Sequence, residues 1–281
     1  MRRCGTRTTS TTRTSGAART AIAARRTVRI RTKNAIQAID GNVGTVKDFY
    51  FDDDKWVVRY LIIETGSWLL SRKVLLSPFA IKYLNIDERT LSVDITMKQV
   101  EDSPTIDTDK PVSRQHETKH LDYFGYPYYW GDTDLWGAYP NPNLVNYDGM
   151  ARPKDTPEIA RMLSEVETLR HNRDDPHLRS CAAVISYHIE ALDGEIGHVD
   201  GMFMDDKTWA IRYFIINTSN WWIGHQLLIQ PLWIKEVSWP DEKVFIGLKR
   251  EEVQNAPRYD ESIPFNRDME ARVHLYFGPK G

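Results

Sequence analysis

The sequence predicts a mainly β chain in which two small barrels stand in tandem. Three observations carry that prediction. A constant offset of 153 residues aligns residues 38–78 with residues 191–231 without a gap, and 16 of the 41 aligned positions are identical. The longest apolar runs are strand-sized, as in WVVRYLIIET at 56–65. Turn signals punctuate both copies at short, regular intervals, which is the spacing of a small barrel or sandwich.

The elements follow in order. Asp40-Gly41 is a turn before a strand at 43–51, and Asp52-Asp53-Asp54 is a polar hairpin tip. The strand at 56–65 is apolar on both faces, so it sits centrally or closes a barrel. A short strand at 74–76 stops at Pro78, and strands at 81–86 and 91–95 flank a turn at Asp87. The second copy repeats this, with Trp239-Pro240-Asp241-Glu242 at the last turn. Each copy ends in a polar segment predicted to be a short helix, at 114–123 and 267–276. The register still holds at Phe124-Gly125 and Phe277-Gly278.

The organisation read from this is a disordered Arg/Thr/Ser-rich head at 1–33, a first barrel at 34–125, a linker at 126–176 and a second barrel at 177–281. The linker opens with an aromatic, Pro/Gly-rich stretch at 126–147. It continues with an amphipathic helix capped by Thr156 and Pro157, whose apolar face is Ile159, Met162, Leu163, Val166 and Leu169. The head has the composition of a transit peptide or of a flexible basic tail, without the apolar core of a secretion signal.

Charge narrows the function classes. Residues 1–39 hold nine Arg and one Lys with no acid, leaving 27 basic against 39 acidic residues in the rest. So acidic a body repels phosphate, and nucleic-acid binding by the folded part is not expected. Only the basic head offers an RNA- or ribosome-association alternative. No apolar run reaches the ~18 residues of a membrane helix, so no transmembrane anchor is expected. The isolated Cys4 and Cys181 suggest a reducing, cytoplasmic setting.

The stretches DGNVGTVKDFYFDDDKWVVRYLIIETGSWL and DGEIGHVDGMFMDDKTWAIRYFIINTSNWW resemble the PRC-barrel family. The shared features are the DG-x-x-G turn, the Asp-Asp tip, the W-x-x-R-Y strand and the later Leu-x-x-Pro. The family takes its name from the cytoplasmic barrel of the photosynthetic reaction centre H subunit. A related barrel ends a ribosome-maturation factor. The resemblance, over most of 34–127 and 187–281, implies the barrel fold and a habit of binding proteins, and it implies no reaction.

Two residue patterns could carry chemistry. His116-Glu117-Thr118-Lys119-His120 matches the H-E-x-x-H pattern, in which two His bind zinc and Glu activates water. It is the basis of a metal-dependent hydrolase alternative using His116, Glu117 and His120. Copy two has Met269, Glu270 and Val273 there, so a solvated helix is the plainer expectation. Arg59 and Arg212, inside apolar strands, are expected to pair with Glu64 or an Asp of the DG turn. The expectation is therefore a non-enzymatic interaction or scaffold module with no catalytic residue, metal or cofactor. Its partners are proteins, a second copy of the chain among them, and its binding surface comprises Tyr128, Tyr129, Trp130, Trp136, Trp68, Trp221 and Trp222.

Overall fold

A computed structural model describes residues 26–106, 112–130, 133–144, 177–218, 225–263 and 265–277. The amphipathic helix expected after Thr156, Trp221, Trp222 and most of the basic head lie outside these residues.

The first sheet contains β2 (Ala35–Gln37), β3 (Asn42–Asp52), β4 (Val57–Thr65), β5 (Lys73–Leu76), β6 (Ile81–Asn85) and β7 (Thr90–Val93). Its hydrogen-bonded order is β5-β4-β3-β2-β7-β6. The two ends of that path, β5 and β6, are joined in sequence by the 3-10 turn Pro78–Ala80 alone. So short a link forces the sheet to curl until its edges approach, which makes a barrel. The second sheet repeats the arrangement with β9 (His188–Ala191), β10 (Gly194–Asp205), β11 (Ile211–Asn217), β12 (Gln226–Ile229), β13 (Ile234–Ser238) and β14 (Lys243–Ile246), the turn Pro231–Trp233 linking β12 to β13. A further strand, β15 (Arg258–Tyr259), pairs with β12.

The DG-x-x-G turns have a structural cause. Asp40 accepts the Met97 N–H at 2.8 Å and Asp193 accepts the Arg250 N–H at 2.8 Å, each at the start of a short helix, Met97–Asp102 or Arg250–Gln254. Gly44 and Gly197 have φ of 150° and 143°. A Cβ there would lie 2.0 Å from the carbonyl oxygen of Glu64 or of Asn217. Only glycine lets β3 approach β4, and β10 approach β11, so closely. The cores are apolar as expected: Val58, Ile62, Ile63, Ile211, Ile215 and Ile216 are all buried.

The division at residue 34 needs correction. Thr27–Arg29, placed in the disordered head, is strand β1 and pairs antiparallel with β10 of the second sheet. Reciprocally, β8 (Leu178–Ser180), next to the second copy, pairs with β3 of the first sheet. The registers correspond: Thr27, Val28 and Arg29 oppose Asp205, Met204 and Phe203, while Leu178, Arg179 and Ser180 oppose Asp52, Phe51 and Tyr50. β3 and β10 run 11 and 12 residues, longer than the strands β2 and β9 beside them. The projecting edge of each would be unpaired, and the other half's leading strand covers it. A three-residue strand flanked by Arg carries too little periodicity to be read from sequence.

The halves also meet at a two-fold seam. Val58 N–H donates to Trp209 O at 2.9 Å and Ile211 N–H donates to Trp56 O at 2.7 Å. Those four residues are two pairs at the offset of 153, so each half makes the same bond to the other. Trp56 and Trp209 both turn through positive φ, 55° and 60°, to present these carbonyls.

Cutting the chain between 144 and 145 therefore separates each sheet from one of its strands. The two fragments, purified together, are expected to form a 1:1 complex that survives gel filtration at micromolar concentration. Two independently folded monomers with no tendency to associate would contradict the exchanged-strand architecture.

Candidate interaction surface and buried polar cluster

Within the aromatic stretch Tyr126, Tyr129 and Trp136 are core rather than surface, while Tyr139 is exposed. Trp136 is fully buried, and its indole Nε1–H donates to Thr208 O of the second half at 2.8 Å. Tyr129 is buried beneath Arg59, whose guanidinium carbon lies 4.0 Å from the ring centroid. The expectation that Tyr129 and Trp136 form a free binding surface is corrected accordingly. The physical reason is that prolines and glycines exclude regular structure without excluding burial. Tyr128 and Trp130 stack at 4.7 Å and are half-buried, and Tyr128 Oη–H donates to Asp122. Trp68 keeps 36% of its surface exposed while its Nε1–H donates to Val43 O.

The helix Arg114–Phe124 is not the solvated one expected. Glu117 and His120 are completely buried, and His116 is half-buried. Glu117 receives the Tyr129 hydroxyl, pairs with Arg114 at 3.3 Å and meets His177 Nε2 at 2.8 Å. Arg114 Nη1 also donates to the Tyr129 hydroxyl at 3.0 Å. Arg59, buried to 1% exposure, pairs with Asp52 at 3.0 Å and donates to Leu135 O. Its partner is thus the hairpin-tip Asp52. The expected Glu64 pairs with Lys47 at 2.6 Å, and the DG-turn Asp40 caps a helix. Burial acts to raise the Asp52 pKa, but the Arg59 charge and its hydrogen bonds outweigh it and hold the carboxyl below its ordinary value.

His120 lies edge-on to Tyr60, 5.5 Å between centroids, and against Phe124 at 4.9 Å. Neither ring nitrogen has a hydrogen-bond partner among the described residues. Burial, with a smaller contribution from His116, pushes its pKa down to about 3. Among the described residues no group of three His, Cys, Asp or Glu side chains could hold a metal. Glu117 is already engaged by three neighbours, so the H-E-x-x-H pattern reads in space as a helix face buried on the barrel.

The second half differs at the same positions. Arg212, the counterpart of Arg59, is 39% exposed and meets Glu270 at 3.4 Å. No aromatic segment covers it among the described residues. Next to it runs a cleft of about 870 Å³ between the halves. One wall is the β6–β7 hairpin of the first barrel, with Leu84, Ile86 and Arg89. The other includes β1 and the start of the helix Arg267–Phe277. Inside the first barrel, by contrast, a cavity lined by Ile36, Val43, Ile63 and Val74 measures about 10 Å³, room for roughly one water at most.

Two outcomes follow. Replacing Arg59 by Met strands Asp52 in the interior and is expected to cost about 3–5 kcal/mol in urea denaturation. The same change at half-buried Arg212, whose side chain is 39% exposed, should cost less than about 1 kcal/mol. Equal costs would mean the two arginines are equivalent.

His120 supplies the pH dependence. Its folded pKa lies below the ordinary 6.5, so the unfolded chain binds the proton more readily. The stability this group contributes is therefore present above pH 6.5 and lost as pH falls toward 3, by at most about 1.4 kcal/mol per pH unit. His120→Leu should match the wild type at pH 7 within about 1 kcal/mol, since it removes two unpartnered buried nitrogens. It should also show a flatter fall in Tm between pH 6 and 3.

In comparison with known proteins, residues 27–100 match the family model of the PRC-barrel domain. The match begins at β1 and ends in the helix Met97–Asp102. No curated protein matches the chain.

Proposed function

We propose, with a PRC-barrel domain at residues 27–100 as the premise, that the chain is a non-enzymatic protein-binding module and that its second half is a second PRC-barrel. The strand order and the DG-x-x-G geometry of the second half support the latter. The observation that carries the binding reading is where the space lies. The first barrel is filled by its own side chains, and the large cleft opens between the halves. A shared seam is where a duplicated scaffold can offer a surface that neither copy has alone. Tyr128, Trp130 and Trp68, which keep some exposure, remain parts of the proposed surface. No helix among the described residues is long and apolar enough to cross a membrane. A cytoplasmic site of action belongs to this proposal, on the strength of Cys181, a free and buried thiol.

The hydrolase alternative, using His116, Glu117 and His120, needs the two imidazoles on one metal. His120 instead packs between Tyr60 and Phe124. The RNA alternative relied on residues 1–33, of which Thr27–Arg29 is engaged in the second sheet.

Partner capture followed by mass spectrometry, run beside metal analysis, tests the reading. Wild type and His116→Ala are expected to capture the same proteins in similar amounts, with zinc well below one per chain. One zinc per chain, lost together with a hydrolytic activity in His116→Ala, would replace the module by the hydrolase.

A further inference from the structure

The pseudo-symmetry relates the open cleft to a site that is already occupied. Arg267 and Glu270 stand at the positions of Arg114 and Glu117 by the 153-residue offset. Arg26 precedes β1 as His177 precedes β8, and the two play the same part: Asp206 N–H donates to Arg26 O at 2.9 Å, and Asp53 N–H to His177 O at 3.1 Å. In the first half Arg114, Glu117 and His177 converge on one group, the Tyr129 hydroxyl, at 3.0 Å for Arg114 and 3.4 Å for His177 Nε2. Their counterparts Arg267, Glu270 and Arg26 all line the cleft.

A second difference keeps this half open. Trp239 of the β13–β14 hairpin covers the Arg179 guanidinium at 4.0 Å. Its counterpart Ile86 is 44% exposed at the cleft wall, and across from it Ile263 is 57% exposed. Arg26, Arg89 and Arg267 line the same space and are exposed, and none of them is in an ion pair among the described residues. The cleft thus joins exposed apolar surface to a lining of five arginines (Arg26, Arg29, Arg31, Arg89, Arg267) against three carboxylates (Asp87, Glu261, Glu270).

We propose that this cleft is a docking site for an extended, aromatic and acidic peptide segment of a partner protein, one that seats a tyrosine side chain as the first half seats Tyr129. This rests on the protein-binding reading above and names its site and the chemistry of its ligand. The tyrosine hydroxyl meets Arg267 and Glu270, its ring rests on the apolar wall, and flanking carboxylates meet Arg26 and Arg89. The intramolecular occupant is the template: Tyr129 is seated in the first half, and Trp136 a few residues on reaches Thr208 O of the second. The cleft volume of about 870 Å³ suits two or three such side chains.

The probe is a fluorescently labelled synthetic peptide with the sequence of residues 126–139, titrated into the full chain and followed by anisotropy. Saturable one-site binding is expected, weakened by added salt. The triple variant Arg26→Ala, Arg89→Ala, Arg267→Ala should bind at least about tenfold more weakly with an unchanged melting curve, because all three side chains are exposed. Peptide with Tyr129 replaced by Ala should lose affinity to a similar degree. Absence of saturable binding, or equal affinity in the triple variant, would overturn the proposal. So would a concentration-dependent dimer by light scattering that the triple variant abolishes, since a second copy would then be the occupant. Partner capture on the same preparations separates the two levels. Capture that persists while the peptide fails removes only this site, and loss of both removes the module reading.

Discussion

The arrangement depends on two backbone hydrogen bonds that repeat one another. Val58 N–H to Trp209 O and Ile211 N–H to Trp56 O join the same positions of each half across a two-fold axis. An isologous contact of this kind demands that the surface around it be self-complementary. Trp56 therefore packs against Phe51 of its own half at 5.5 Å and edge-on to Phe214 of the other at 5.4 Å. The strand exchange obeys the same symmetry. Once β3 and β10 run past their own barrels, the leading strand of the opposite half is the nearest segment able to pair with them. Arg179 on Asp53 at 2.7 Å and Arg29 on Asp200 at 3.5 Å then fasten the exchanged strands.

Covalent linkage changes what such a pair can do. In two separate chains an isologous dimer would keep both half-sites identical. Inside one chain the halves diverge independently while the seam is retained. The first half has enclosed its charges: Arg59 pairs with Asp52 in the interior, and a ring from the following segment lies on top. The second half holds the corresponding Arg212 at the surface. A buried pair of this kind adds little net stability compared with an apolar substitute, because desolvation offsets the attraction. What it contributes is a single position for the chain that covers it, through Leu135 O and the face of Tyr129.

Much of this architecture was legible in particular residues. The alternation and density of β-branched residues in 56–65 indicated a strand apolar on both faces, and all but Trp56 and Glu64 there are buried. Repeated turn signals located the hairpins. Gly44 and Gly197 were visible as a motif, although their cause, a carbonyl 2.0 Å from where a Cβ would stand, is a matter of strand approach that no spacing encodes. The candidate site was much less legible. Burial of Glu117 and His120 depends on which face of a polar helix meets the barrel, and the sequence neighbours Arg114, Gln115 and Lys119 pointed to solvent. The aromatic segment carried the right residues with the wrong address, because rings that cross between two domains look the same in sequence as rings that await a partner.

The comparison between halves is therefore more informative than either half by itself. Motif residues common to both, such as Asp40 and Asp193 or Thr65 and Thr218, do the same structural work twice: the aspartates cap helices, and the threonine hydroxyls donate to Arg72 O at 2.9 Å and His225 O at 3.0 Å. Identity between copies marks the fold. Departure marks where the fold no longer constrains the choice, and several departures lie at the seam: His177 against Arg26, Trp239 against Ile86, and a covering aromatic segment that has no counterpart among the described residues of the second half. The change from His177 to Arg26 adds a cation and that from Trp239 to Ile86 removes a ring, while Asp200 and Glu261 add carboxylates that pair with Arg29. Arginines beside exposed isoleucines, opposite a symmetric counterpart filled by tyrosine and tryptophan, form the arrangement expected of a surface shaped to receive a similar segment from elsewhere.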